Sequence, residues 1–152
     1  MHRARGSTGA ALGFDARRML DGGDSAGGNM TAAPSLRLKD QNQQHSLKAQ
    51  ILLYPEAPLP FDTPAAVENN AVPPSHRYVS PGMQPVGDLE GLPPATAFTC
   101  GFDPLRDVGV EYARKLKEVG NMVVWRHKLA LTHGFFQMAP WSEDTEGKWR
   151  GW

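Results

Sequence analysis

Residues 21–30, DGGDSAGGNM, constrain the fold of this chain more than any other stretch. Glycine loses more conformational freedom on folding than any other residue, so it is retained where the backbone bends sharply or comes very close to another group. Within the stretch, Gly23-Asp24-Ser25-Ala26-Gly27 fits G-x-S-x-G. That pattern lets a chain turn abruptly from a strand into a helix with a serine at the apex. The flanks agree. RRMLDGG reads as a short strand ending at the turn, although Asp21 is a poor residue for a buried strand, and helical spacing begins at Ala26.

The rest of the chain repeats the alternation. The first helix is expected through GGNMTAAPSLRLKD, interrupted by Pro34, which costs about 3 kcal/mol in a helix interior. A polar loop, DQNQQHS, leads to LKAQILLYP, a buried strand closed by Pro55. PATAFTCGF is a third strand. The following DPLRDVGVEYARKLKEVG carries Val110, Tyr112, Ala113, Leu116 and Val119 at helical spacing and ends at Gly120-Asn121 in the manner of a C-cap. MVVWRHK is a fourth strand, and LALTHGFFQMAPW is expected to form a loop and then a helix. Strands alternating with helices predict an α/β fold with a parallel sheet covered on both faces.

At 152 residues the chain is long enough for one domain with a real core, and it is read as a single domain over 1–152. Residues 1–16 form an irregular lead-in. Residues 55–94 are a Pro-rich loop region holding ten of the thirteen prolines. Loops beyond about 12–15 residues are uncommon inside a compact domain unless they serve function.

Charge and composition exclude several classes of function. The formal net charge is zero with no block of like charge, which argues against nucleic acid or an anionic membrane as partner. Cys100 is the single cysteine, so an intrachain disulfide and a Cys-based metal site are both excluded; it reads as a small buried hydrophobe. The longest apolar run, ILLY, is far too short to span a bilayer. The expectation is a cytoplasmic protein.

Parallel sheets carry their reactive groups at the carboxyl ends of the strands. That rim collects Ser25, Asp103 and His133, each just past a strand. Asp103-Pro104 also reads as an ordinary helix N-cap with proline at the first helical position, and the two readings are compatible. Asp107, inside the first turn, reads as a favourable charge on the helix dipole. His2, His45 and His76 lie in polar or Pro-rich segments and His127 in a strand, whereas His133 precedes Gly134, which allows close approach. The order Ser…Asp…His is the one described for α/β-hydrolases.

These residues bring the chain to a family. GDSAGGNM, LLYP, GLPPATAFTCGFDPLRDVGVEYARKLKEVG and HGFFQM resemble the hormone-sensitive-lipase-like, GDSAG-type esterases of the α/β-hydrolase fold, from about Gly13 to Met138. The resemblance implies Ser25 as nucleophile, Asp103 as orienting acid and His133 as general base. It also implies the backbone N–H of Ala26 as one oxyanion donor, a small-molecule ester as substrate, and no metal or organic cofactor.

The chain also departs from the family pattern. Family members carry an H-G-G-G motif toward the N terminus, which supplies the other oxyanion donors, and a cap that shapes the acyl pocket; this sequence has neither. Losing one such donor typically costs about 10²–10³ in rate. The expectation is therefore a partial α/β-hydrolase fold without its N-terminal strands. Its first strand would have an open edge that invites self-association. A segment near Ala71 is shorter than in the family, Asp21 and Pro34 stand at unusual positions, and the tail APWSEDTEGKWRGW has no family counterpart. Two readings stay open: a serine carboxylesterase, or a catalytically incompetent remnant acting at most as an interaction module. An amide or lactone hydrolase on the same fold is a third.

Overall fold

The computed structural model describes residues 18–56 and 75–138, together with Gly13, Asp15 and Pro73. Most of the lead-in 1–16, residues 57–72 and Pro74 of the Pro-rich region, and the Trp-rich tail lie outside the described residues. The described residues form four strands and two α-helices in the order β1 (Met19–Asp24), α1 (Ala26–Asp40), β2 (Leu47–Leu53), β3 (Ala95–Phe102), α2 (Arg106–Glu118) and β4 (Val123–Thr132). The strands form one sheet in the order β1-β2-β3-β4, every neighbouring pair parallel. A sequential order of this kind is what right-handed crossovers stepping the same way across a sheet produce.

That topology also decides where the helices lie, and it corrects one expectation. Leu52 of β2 pairs with Ala97 of β3, so the two share a face. They join Ala32 and Leu36 of α1 and Tyr112, Ala113 and Leu116 of α2 in one core. Both described helices therefore cover the same face rather than one each. The expected two-sided cover is not found among the described residues. On the opposite face Leu20 is 63%, Ile51 39% and Val124 47% exposed.

Each helix buries a stripe at 3.6-residue spacing. In α1 the stripe is made of small residues and leucines: Gly28, Thr31, Ala32, Ser35, Leu36 and Leu38. In α2 it is Gly109, Tyr112, Ala113 and Leu116, so glycine takes the inward place expected of Val110. Fully burying a leucine such as Leu36, Leu52 or Leu116 is worth about 1.5–3 kcal/mol. The C terminus of α2 is a Schellman turn: the Asn121 N–H donates to the Leu116 carbonyl and the Gly120 N–H to that of Lys117, with Gly120 at φ 81°.

Two elements differ from their sequence reading. Pro34 does not interrupt α1, which runs unbroken to Asp40. It sits on the exposed side, where the lost N–H leaves only the Met30 carbonyl without its helical donor and the ring faces solvent. β4 continues four residues beyond Lys128 to Thr132, and the segment after it is a turn through Met138 rather than a helix. Residues 139–141, where that helix would have continued, lie outside the described residues.

The described part of the Pro-rich region is a strap. Short 3₁₀ turns at Pro81–Met83 and Val86–Leu89 set Leu89 and Leu92 into the core. The strap's carbonyls accept side chains from both helices: Asn29 reaches Val79, Lys39 reaches Asp88, and Lys115 reaches Gly82. Arg77 donates to Asp40 at 2.6 and 2.8 Å and also to Asp88.

Candidate active site

The turn from β1 to α1 is built as the glycines required. A Cβ on Gly23 would collide with the Gly27 carbonyl, and one on Gly28 would lie 2.7 Å from Pro55 Cβ. Ser25 caps α1 at φ 55° and ψ −119°, a conformation that L-residues rarely adopt. The surrounding backbone holds it there. The Ser25 N–H donates to the Leu53 carbonyl, while the Ser25 carbonyl accepts from Gly28, Asn29 and Glu56. Ala26 opens α1, so its N–H is a first-turn donor without an intrahelical acceptor.

Asp103 follows β3. Its side chain is only 1% exposed, and Oδ1 accepts the Leu105 N–H at 2.7 Å. The helix itself starts at Arg106, so Asp103 closes a turn before the helix instead of capping it directly. His133 follows β4. Its Nδ1 lies 3.0 Å from both Asp103 oxygens and its Nε2 lies 2.8 Å from Ser25 Oγ. A carboxylate only accepts, so Nδ1 carries the proton and the Nε2 lone pair faces the serine hydroxyl. Three side chains spread over 108 positions of sequence thus meet at one rim of the sheet.

The competing residues lie elsewhere. Asp107 is exposed and pairs with Arg106. His127 sits on β4 with Nδ1 2.7 Å from Thr99 Oγ1, and His45 and His76 are exposed. His2 lies outside the described residues. Cys100 is fully buried, and burial, with Asp103 nearby, pushes its thiol up to about 12. It is an inert core residue. Among the described residues no group of His, Cys, Asp or Glu is arranged to hold a metal ion, and no helix is long and apolar enough to cross a membrane.

Sequence reasoning passed over two neighbours of this constellation. The Tyr54 ring packs edge-on against His133 at 4.8 Å between centroids and against Phe135 at 5.5 Å. With Cys100 and Leu131 these form a second, smaller cluster beneath the site. Asp24, at a position where G-x-S-x-G specifies no residue, accepts from Gln137 at 2.8 Å. The available signal for Tyr54 was its place at the end of β2, before Pro55 and on the same rim.

A sheet of sequential parallel strands with a serine at its first strand-to-helix turn is an α/β hydrolase by fold. The chain belongs to the alpha/beta hydrolase fold family, whose model matches residues 2–137. It is 34% identical to carboxylesterase NlhH of Mycobacterium tuberculosis over 155 aligned positions, covering 88% of this chain and 48% of that protein. Over 68 positions it is 34% identical to hormone-sensitive lipase of Mus musculus, which covers 45% of this chain and 9% of the lipase. A fungal esterase from Rhizomucor miehei superposes with a TM-score of 0.79 at 27% identity, covering 96% of this chain and 53% of the other. The hormone-sensitive-lipase-like resemblance carried by GDSAGGN, DPLRD and HGF is borne out by these matches. The chain spans about half the length of the carboxylesterase and of the fungal esterase.

Proposed function

We propose that this chain carries the reacting groups of a serine carboxylic-ester hydrolase working through an acyl-enzyme. The observation behind this reading is the pair of interactions at His133, with Nε2 2.8 Å from Ser25 Oγ and Nδ1 on the Asp103 carboxylate. Ser25 Oγ attacks the ester carbonyl as His133 Nε2 takes its proton, and Asp103 stabilises the imidazolium that forms. The Ala26 N–H donates to the oxyanion of the tetrahedral intermediate. Collapse breaks the bond to the alcohol, which leaves with the proton from His133. Water then attacks the acyl-serine, giving its proton to His133, and the carboxylic acid departs as that proton returns to Ser25. The scheme needs no metal or organic cofactor. An ester as substrate class is supported by the carboxylesterase and lipase among the relatives.

A second reading, an interaction module that keeps the three side chains without turnover, is favoured by the apolar face opposite the helices, where Leu20, Ile51 and Val124 meet solvent. A fluorophosphonate probe separates the two. Labelling of the folded chain that disappears in Ser25→Ala supports the hydrolase. Absence of labelling from a chain with native circular dichroism favours the module.

A further inference from the structure

Ser25 and His133 lie at the ends of β1 and β4, the two outer strands of the described sheet, which share no ladder. Among the backbone bonds of the turn after β4, those of Phe135 to Thr132, Gln137 to Gly134 and Met138 to Phe135 are internal, and that of His133 runs to Phe102 of β3. Something other than these must hold the turn against the start of α1.

Asp24 is placed to do so. It is the last residue of β1, adjacent to Ser25, and its Oδ2 accepts the Gln137 side-chain amide from the far side of the site at 2.8 Å. The same oxygen lies 3.5 Å from the Tyr54 hydroxyl. Burial first, and then Asp24, push that phenol up to about 12, so it remains a donor, and the backbone of Phe136 bonds to it in turn. One carboxylate therefore joins the β1 end to Gln137 of the turn that carries His133 and faces the Tyr54 hydroxyl after β2, which in turn meets the backbone of Phe136. The Tyr54 ring completes the link by packing on the imidazole.

We propose that Asp24 is a positioning residue: by holding Gln137 and Tyr54 it keeps the turn 133–138 against the start of α1 and so keeps His133 Nε2 on Ser25 Oγ. The inference deepens the triad reading above and rests on it. It does not require Asp24 to touch substrate. A displacement of about 1 Å in a reacting group can cost on the order of 10²-fold in rate.

The test uses the full chain and the variants Asp24→Ala, Asp24→Asn and Gln137→Ala, the last an exposed position whose loss leaves the core intact. Proton NMR reads the downfield Nδ1–H of the imidazole bonded to Asp103, a signal that does not depend on turnover. Fluorophosphonate labelling rates are measured in parallel. The expected result is that this signal broadens or vanishes in Asp24→Ala and Gln137→Ala while the resonances of α2 stay in place. Labelling should fall roughly ten- to a hundredfold in the same two variants. Asp24→Asn, which keeps an acceptor oxygen, should recover most of both. An unaltered signal in Asp24→Ala and Gln137→Ala overturns the proposal, as does its absence from the wild-type chain, because there is then no held pair to position. A wild-type signal that responds as expected in a chain the probe never labels leaves Asp24 in this role and overturns the hydrolase reading instead.

Discussion

Ser25 holds φ 55° because the turn around it leaves no alternative, and such a conformation costs a non-glycine residue about 1–3 kcal/mol. Replacing the side chain separates that strain from the chemistry. Ser25→Gly should be more stable than Ser25→Ala by about 1 kcal/mol, read as the difference in urea midpoints, although both lose the hydroxyl and neither reacts with the probe. Asp103 makes the complementary case. Asp103→Asn keeps the shape of the side chain but offers an amide where His133 needs an acceptor, so the imidazole settles in the wrong tautomer. Its labelling rate should drop by up to about 10⁴-fold, with an unchanged circular dichroism spectrum. Equal rates for Asp103→Asn and wild type would remove the aspartate from the scheme.

The second helix was the most legible element, because Tyr112, Ala113 and Leu116 mark its buried stripe at helical spacing and its terminus carries the Gly-Asn signal, whereas the α1 stripe is partly glycine, threonine and serine and carries no such apolar pattern. The convergence of Ser25, Asp103 and His133 was legible for a different reason: a parallel sheet gathers the residues that follow its strands at one rim. Less could be read where burial does not write a pattern. β4 is mostly exposed, so no alternation marked its extension through Leu129–Thr132. Which face each helix covers depends on crossover direction and strand order, properties of pairing that no single segment encodes. The roles of Asp24 and Tyr54 belong to contacts between segments, Asp24–Gln137 spanning 113 positions. Pro34 was judged by propensity alone, whereas its exposed position lowers the penalty of an otherwise costly residue. Pro34→Ala should restore the missing donor to the Met30 carbonyl and raise the urea midpoint. The gain is expected at about 1–2 kcal/mol, less than the full propensity difference, because proline also restricts the unfolded chain.

Over the whole molecule, the strap from His76 to Leu92 ties the two helices together, and its charged clasp makes that tie sensitive to pH. The Arg77 guanidinium, with the Tyr78 hydroxyl and against the opposing effect of partial burial, holds Asp40 below the usual aspartate value of 3.8. A depressed folded value means that the clasp contributes above that usual value and is lost as pH falls through the folded one. The stability gap between wild type and Arg77→Met should therefore be present at pH 7 and close below about pH 4, as read from urea midpoints. A gap that persists at low pH would assign the role of Arg77 to packing. The open face opposite the helices gives a separate expectation. A chain presenting Leu20, Ile51 and Val124 to solvent should self-associate in sedimentation velocity, and Ile51→Lys should shift it toward monomer.

The sequential strand order also has a kinetic consequence. Each strand pairs with the one before it in the chain, so the sheet can grow by accretion from β1 to β4, each step closing only the loop between neighbours. The contact between Ser25 and His133 bridges the whole of that growth. It cannot form until the last strand has docked, so in a refolding experiment the return of probe reactivity should trail the return of helical ellipticity. Reactivity would then time the final step of folding.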